Sequence, residues 1–297
     1  MLEKSGVHCI GDDISCFQPN QVWQGRGFQP DSSVDDNHPI CLGSGMTLGN
    51  ASETVRDRLT ARLDHIAVAV PSSEPALIRW RDQLGAGFAG GTRRDGFMTS
   101  QWRYRNGGKL ELIEPDPDCP PEEVYLTGFL AKYGASIHHL TLKVPDLEQP
   151  LDALRRAGIE PIGINREPLF HEAFVRPRDG GGLLIQLLWT DVADHEWEND
   201  LNWEVTPPPA DGARLLAARL RHPDLSQAAW LWTILGAQVV WKDSGLVARW
   251  PESFMEVRIE PGQPAGPVGL VFGDARTGPA HLRIGPAIER QVGPGPT

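Results

Sequence analysis

The sequence has few of the features that mark membrane, secreted or nucleic-acid-binding proteins. No apolar run reaches the roughly 18 residues needed to span a bilayer, and the first residues lead into no apolar segment of the signal-peptide type. There is no long basic run, and the net charge of −11 disfavours nucleic acids and anionic membranes as partners. The four cysteines lack the paired spacing of a zinc site. We therefore expect a cytoplasmic protein with reduced thiols.

The two ends of the chain lack the patterns of packed structure. Residues 1–58 show neither strand nor helix periodicity, and acidic residues outnumber basic ones there. Such a segment does not bury enough apolar surface to fold alone, so we predict a disordered tail over residues 1–58. Residues 276–297 are rich in glycine and proline towards the end, and we predict a flexible tail there.

The central part of the chain contains one pattern twice. An apolar strand (63–70) is followed by a helix (about 74–84) and three further strands near 87–91, 97–105 and 109–114. The second copy has a strand (137–144), a helix (147–157) and strands near 160–163, 171–176 and 183–189. The repeat predicts an α+β fold built from tandem βαβββ modules within residues 59–192.

A weaker third copy follows a run of three prolines. It has a helix from Leu225 to Leu235, strands at 245–250 and 256–261, and a last apolar segment, 269–272, that starts a fourth copy without completing it. We predict a third, degenerate βαβββ-like module over residues 208–275.

Four polar residues interrupt the apolar strands at matched places in the two complete copies. His65 and Glu111 are 46 residues apart, and His139 and Gln186 are 47 residues apart. A buried amide or carboxylate without a partner is costly, so each of these side chains must be satisfied by something. A metal ion would satisfy all four, and a backbone amide or a buried water could also satisfy Gln186.

The third copy serves as an internal control. When the prolines that follow the strands are aligned, Ala217 stands where the histidines stand and Val257 stands where Glu111 stands. Strand packing therefore does not by itself require a histidine or a carboxylate at these positions. Two imidazoles, a carboxylate and an amide oxygen suit Co, Ni, Mn, Zn or Fe better than calcium, and the choice among them stays open.

Strand alternation predicts which neighbours share the face of the site. His65 shares a face with Ala67 and Ala69, whose small side chains leave room for a cavity. His138 falls on the side of Leu140, so we interpret it as a structural histidine rather than a ligand.

Several motifs together resemble the vicinal oxygen chelate superfamily, which includes glyoxalase I and extradiol dioxygenases, and within it the methylmalonyl-CoA epimerases. The motifs are the segments 63–71, 110–115, 129–134, 137–139 and 174–186. The resemblance implies that two four-stranded halves close into an eight-stranded cup around a divalent metal, with His65, Glu111, His139 and Gln186 at the positions of the metal ligands. Two departures stand out: the last ligand is usually Glu, and the strand 97–102 lacks the carboxylate that some epimerases use as a second base.

Three functions follow as hypotheses. The first is a metal-dependent isomerase, epimerase or lyase that removes the proton α to a carbonyl, in an acyl-CoA thioester or a glutathione adduct, with Glu111 as the base because it is the only carboxylate of the four. The second is an Fe(II)-dependent extradiol-type dioxygenase. The third is a non-catalytic binding protein of the same fold. Each takes a small-molecule partner, and the sequence leaves a homodimer open.

Other polar residues have weaker claims to function. His171 and Glu172 could contact a substrate from the cup wall, although a surface strand is the simpler interpretation. A group of basic residues in the first module could meet a CoA or carboxylate group, although a solvated surface is simpler; its members are Arg93, Arg94, Arg103, Arg105 and Lys109.

Overall fold

A computed structural model describes residues 59–94, 96–120, 125–191, 199–273 and 280–283. The predicted tail of residues 1–58 lies outside the described residues, as does most of the predicted tail of residues 276–297. Among the described residues there is no helix with the length and apolar character needed to cross a membrane.

The first module follows the predicted order of elements. It consists of β1 (Arg62–Ala69), α1 (Ser73–Leu77), β2 (Gly87–Arg94), β3 (Phe97–Arg103) and β4 (Lys109–Pro115). The chain continues from α1 as a π-helical segment, Ile78–Gln83, within the single helix that we predicted for residues 74–84.

The second module repeats this order after a connecting helix, α2 (Tyr125–Tyr133). Its elements are β5 (Ser136–Lys143), α3 (Glu148–Arg156), β6 (Ile162–Arg166), β7 (Phe170–Val175) and β8 (Leu184–Thr190).

The third module is also a βαβββ unit. It consists of β9 (Arg214–His222), α4 (Leu225–Ile234), β10 (Gln238–Lys242), β11 (Gly245–Arg249) and β12 (Glu256–Pro261). Two more strands follow, β13 (Gly266–Gly273) and β14 (Ala280–Arg283), and β14 lies inside the segment that we predicted to be flexible.

The sheets show that the copies share one topology. The first two modules form a single eight-stranded sheet of order β2-β3-β4-β1-β5-β8-β7-β6, in which each module's first strand pairs in parallel with its last. The antiparallel pair β1–β5 joins the two halves. The second sheet, β10-β11-β12-β9-β13-β14, repeats this arrangement, with β13 in the place of β5. The predicted α+β fold of tandem βαβββ modules is confirmed.

Each of the joining strands β1 and β5 carries a β-bulge. Leu63 and His65 pair with consecutive residues of β5, so Asp64 is the extra residue in β1, and His138 is the extra residue in β5. A bulge places two consecutive side chains on the same side of a strand. Our prediction that His138 faces the Leu140 core is therefore wrong: His138 and His139 both leave that core.

One continuous apolar core joins the two sheets. Phe272 on β13 is fully buried, and its ring lies 5.9 Å from Trp80 and 5.2 Å from Tyr104 of the first module. The segment before β9 also packs on the first module, because Trp203 lies 5.2 Å from Phe88 and the backbone N–H of Thr206 donates to the Phe88 carbonyl. The third module is therefore part of the same packed body as the cup.

The strand register corrects our alignment of the third module by one residue. His65 pairs with Lys109 in the first module, two residues before Glu111, whereas Ala217 pairs with Glu256 in the third. The residue that corresponds to Glu111 is thus Arg258 and not Val257. The Val257 side chain is buried in the core. A shift of one residue along a strand reverses the face. The third module still lacks the histidine and the carboxylate at these positions.

Candidate metal centre

Three of the four predicted site residues converge on one point of the eight-stranded sheet. Nε2 of His65 lies 3.6 Å from Oε2 of Glu111, and Nε2 of His139 lies 3.8 Å from the same oxygen. One ligand atom from each residue lies within 4.8 Å of the others. Ligands at about 2.0–2.2 Å around one small divalent ion are roughly 3–3.5 Å apart, so the three donors need only a small adjustment to bind the same ion.

The strand register explains this convergence. Ala67 in β1 pairs with Glu111 of β4 on one side and with His139 of β5 on the other. His65 is two residues before Ala67 and points to the same face. Three adjacent strands therefore present one donor each.

Gln186 lies beside these three residues and is connected to them through Thr141. The Thr141 hydroxyl donates to Oε1 of Gln186 at 2.6 Å and lies 2.9 Å from Nε2 of His65. The parallel pairing of β5 and β8 places Thr141 opposite Gln186. The amide group of Gln186 is satisfied on both sides, because its Nε2 donates to Glu172 at 2.7 Å.

Asp64 and Lys109 form a charged pair behind His65. Asp64 accepts a hydrogen bond from Nδ1 of His65 at 2.9 Å, and Nζ of Lys109 lies 2.9 Å from its Oδ1 and 2.8 Å from its Oδ2. Burial raises the pKa of the Asp64 carboxyl, but the hydrogen bond from His65 and the charge of Lys109 outweigh burial and hold that pKa well below its usual range.

The structure corrects our interpretation of one basic residue of the first module, Lys109, whereas Arg93, Arg94 and Arg105 are exposed, as we had interpreted them. Lys109 is 5 % exposed, so it is not part of a solvated surface. Arg105 donates from Nε to the carbonyl of Gly212, and Arg93 donates to Asp118. The one sequence signal for Lys109 was its place two residues before Glu111, which puts both on the same face of β4.

His138 and His139 lie side by side because of the bulge in β5. Their Nδ1 atoms are 2.9 Å apart, and the His138 ring packs against Phe129 and Tyr125 of α2. Burial lowers the pKa of His138 to about 4. Burial also lowers the pKa of His139 well below its usual value, and the nearby His138 and His65 lower it further. Both rings are therefore neutral at pH 7, the form in which imidazole binds a metal.

Glu172 on β7 is a site residue that we had interpreted as a surface residue. It accepts the hydrogen bond from Gln186, and its neighbours in the strand, Ala173 and Val175, face the core. Burial raises the pKa of Glu172, and the negative charge of Glu111 raises it further. Hydrogen bonds from Gln186 and Asn165 and the charge of Arg94 lower this pKa, but the net shift is upward. Strand alternation is the signal that could have identified it, because it places Glu172 on the face opposite to Ala173 and Val175.

Helix α2 fills part of the cup that we expected to be open. Ala67 and Ala69 pack against Ile113 and against Leu126 of α2. Tyr125, at the start of this helix, lies close enough to the site that Glu111 and Glu172 raise the pKa of its hydroxyl, in addition to burial. The small residues beside His65 therefore accommodate a helix.

Comparison with known proteins places this architecture in a family. Residues 64–173 match the model of the Glyoxalase/Bleomycin resistance protein/Dioxygenase superfamily. The chain is 33% identical over 138 residues to the ethylmalonyl-CoA/methylmalonyl-CoA epimerase of Cereibacter sphaeroides, covering 43% of this chain and 98% of that protein. It is 32% identical over 134 residues to the mitochondrial methylmalonyl-CoA epimerase of Mus musculus, covering 42% of this chain and 71% of that protein.

A solved structure is similar over a longer part of the chain. A hypothetical protein from Staphylococcus aureus aligns with a TM-score of 0.54 over 73% of this chain and 92% of its own, at 14% sequence identity. That likeness concerns the fold alone. The sequence match, which spans nearly the whole of the bacterial epimerase, identifies this chain as a member of the Glyoxalase/Bleomycin resistance protein/Dioxygenase superfamily.

Proposed function

We propose that this protein is a metal-dependent epimerase of acyl-CoA thioesters that carry an acidic α-proton, such as 2-alkylmalonyl-CoA. The observation that carries the proposal is the buried group of His65, His139 and Glu111, with the second carboxylate of Glu172 nearby. The similarity to proteins named as ethylmalonyl-CoA and methylmalonyl-CoA epimerases supports the choice of substrate.

The residues proposed to hold the metal are His65, Glu111, His139 and Gln186. Their donor set suits Co, Ni, Mn, Zn or Fe. A bound divalent ion would polarise the thioester carbonyl and stabilise the negative charge that develops on its oxygen when the α-proton leaves.

Glu111 is the proposed base for one face of the substrate. Its Oε2 faces the two histidines, whereas its Oε1 lies 3.5 Å from Nε2 of Gln101, a long contact. Oε1 is thus the oxygen with more freedom to accept a proton. Proton transfer by a positioned group contributes about 10²–10⁴-fold to a rate.

Glu172 is the proposed acid for the other face. It stands on β7, whereas Glu111 stands on β4, and the strands β1, β5 and β8 separate them in the sheet. Burial raises the pKa of Glu172, which makes this carboxyl better suited to donate a proton than an exposed glutamate. Epimerisation needs a proton to leave one face of a carbon and return to the other. Glu172 supplies the second carboxylate that the strand 97–102 lacks.

The proposal is tested by following inversion and isotope exchange together. Protein depleted of metal by chelation and reloaded with Co²⁺ is incubated with one epimer of methylmalonyl-CoA or ethylmalonyl-CoA in D₂O. We expect the loaded protein to produce the other epimer with deuterium at the α-carbon, and the depleted protein to be inactive. Absence of both inversion and deuterium incorporation in the loaded protein would exclude the proposed reaction.

The composition of the site also supports a second candidate, an Fe(II)-dependent dioxygenase. Two histidines and one carboxylate with open positions form the ligand set of many non-haem iron oxygenases. Consumption of oxygen by protein loaded anaerobically with Fe(II), in the presence of catechols, would favour this reaction over epimerisation.

A further inference from the structure

We propose that Asp64 and Lys109 form a positioning pair that holds the His65 ring for metal binding and thereby sets the affinity of the centre for divalent ions. This inference rests on the proposed metal centre. It assigns a role to two buried charged residues that the proposed reaction does not itself use.

The geometry defines what the pair does to the ring. The buried Asp64 carboxylate accepts from Nδ1 of His65, and Nε2 on the other side of the ring lies 2.9 Å from the Thr141 hydroxyl and 3.6 Å from Oε2 of Glu111. A neutral imidazole carries a single N–H, and a carboxylate partner at Nδ1 keeps that hydrogen there, so the lone pair stays on Nε2. Lys109 contacts both oxygens of Asp64 and offsets its charge where both side chains are buried.

The bulge in β1 makes this contact available. Leu63 and Ile66 both belong to the apolar core, so Asp64 and His65 between them leave the core together. Without the extra residue, alternation would send Asp64 to the opposite face from His65. The hydrogen bond between neighbouring residues is thus a product of the irregular strand.

The third module shows that the bulge does not require the charged pair. Leu215 and Ala218 belong to the core as Leu63 and Ile66 do, and the register shift between β9 and β13 leaves Leu216 as the extra residue. Leu216 therefore stands where Asp64 stands, and Ala217 stands where His65 stands. The residue that pairs with Ala217, in the position of Lys109, is Glu256. The copy without the histidine also lacks the aspartate and the lysine, as expected if the pair serves the ring.

The second module orients its histidine from the same side with a different partner. His138, the extra residue of β5, contacts Nδ1 of His139, as Asp64 contacts Nδ1 of His65. The two rings thus share one arrangement, but at Nδ1 the partner of His65 is a carboxylate and the partner of His139 is an imidazole. A hydrogen bond to a carboxylate is stronger than one between neutral groups, so Nδ1 of His65 has the stronger partner.

Metal affinity, measured without substrate, tests the inference. Binding of Co²⁺ to the metal-depleted protein is followed by calorimetry and by the visible absorption spectrum of the bound ion. Loss of an outer-shell partner typically weakens metal binding by about 10–100-fold. We expect D64N to bind Co²⁺ at least tenfold more weakly than wild type and to show an altered spectrum, while its far-UV circular dichroism is unchanged.

Two further variants separate positioning from loss of folding. Asp64→Leu with Lys109→Met replaces the whole pair by apolar side chains of similar size, so neither charge is left buried alone, and we expect the same loss of affinity. If this double variant does not fold, D64N decides. Glu256→Gln, at the position of Lys109 in the third module, is the matched control and should bind Co²⁺ as wild type does.

The outcomes distinguish this inference from the proposed function. Wild-type affinity and spectrum in D64N would overturn the positioning role and leave the metal centre intact. Failure of the wild-type protein to bind any divalent ion would overturn the metal centre and this inference with it.

Discussion

Nε2 of His65 lies 3.6 Å from Oε2 of Glu111, although 46 residues separate the two in the chain. The parallel pairing of the first and last strands of the module produces this approach, and the antiparallel strand of the second module adds His139 from the other side. The site therefore depends on both halves of the sheet.

Replacement of Glu111 by glutamine should reduce kcat by a larger factor than it reduces the affinity for the metal. The amide oxygen can still bind an ion, but glutamine cannot accept the α-proton, so we expect kcat to fall about 10²–10⁴-fold. Steady-state kinetics with methylmalonyl-CoA and calorimetry with Co²⁺ measure the two effects. Glu160→Gln, which removes an exposed carboxylate, is the control. Retained turnover in E111Q would remove Glu111 as the base.

Replacement of Glu172 by glutamine should separate the two half-reactions. With Glu111 intact, one epimer should still exchange its α-proton with D₂O, whereas conversion to the other epimer should become at least 10²-fold slower. Nuclear magnetic resonance measures the exchange, and chiral analysis of the acyl group measures the conversion. Unchanged interconversion of the epimers would show that Glu172 is not the second acid-base group.

Stability of the metal-free protein should fall on acidification because of His138. Its pKa is lowered from 6.5 to about 4 in the folded state, whereas the unfolded chain titrates near 6.5. Below pH 6.5 the unfolded state binds more protons, so the free energy of unfolding declines as the pH falls from 6.5 to about 4 and then levels off for this group. Urea denaturation at several pH values measures the decline. In His138→Asn, the free energy of unfolding should decline less steeply as the pH falls. An unchanged slope would show that His138 does not cause the decline.

The third module should unfold together with the cup. Phe272 is 0 % exposed and packs against Trp80 and Tyr104 of the first module, so Phe272→Ala should lower the free energy of unfolding by about 3–5 kcal/mol. Phe254 is 65 % exposed, and Phe254→Ala should change the free energy of unfolding by no more than about 0.5 kcal/mol. A single shifted transition in urea is the expected result. An unshifted transition for the cup in F272A would show that the sheets unfold independently.

Local patterns in the sequence predicted much of this protein. Strand and helix periodicity located the repeated elements, and the resemblance of their motifs to a known superfamily implied that the two modules pair. The same repeat selected His65, Glu111 and His139 as exceptions within apolar strands, and the structure brings these three together. These features follow from the sequence because they depend on the order of residues within a strand and on a comparison between copies.

The remaining features depend on how strands pair over long distances. The bulges at Asp64 and His138 change the face of the neighbouring residues, and no property of those residues alone marks a bulge. The strand register moved the counterpart of Glu111 from Val257 to Arg258. The place of Glu172 beside Gln186 depends on the pairing of β7 with β8. Side-chain alternation is a local property of the chain, but the register and the bulges are set by the packing of whole strands, which only the tertiary structure decides.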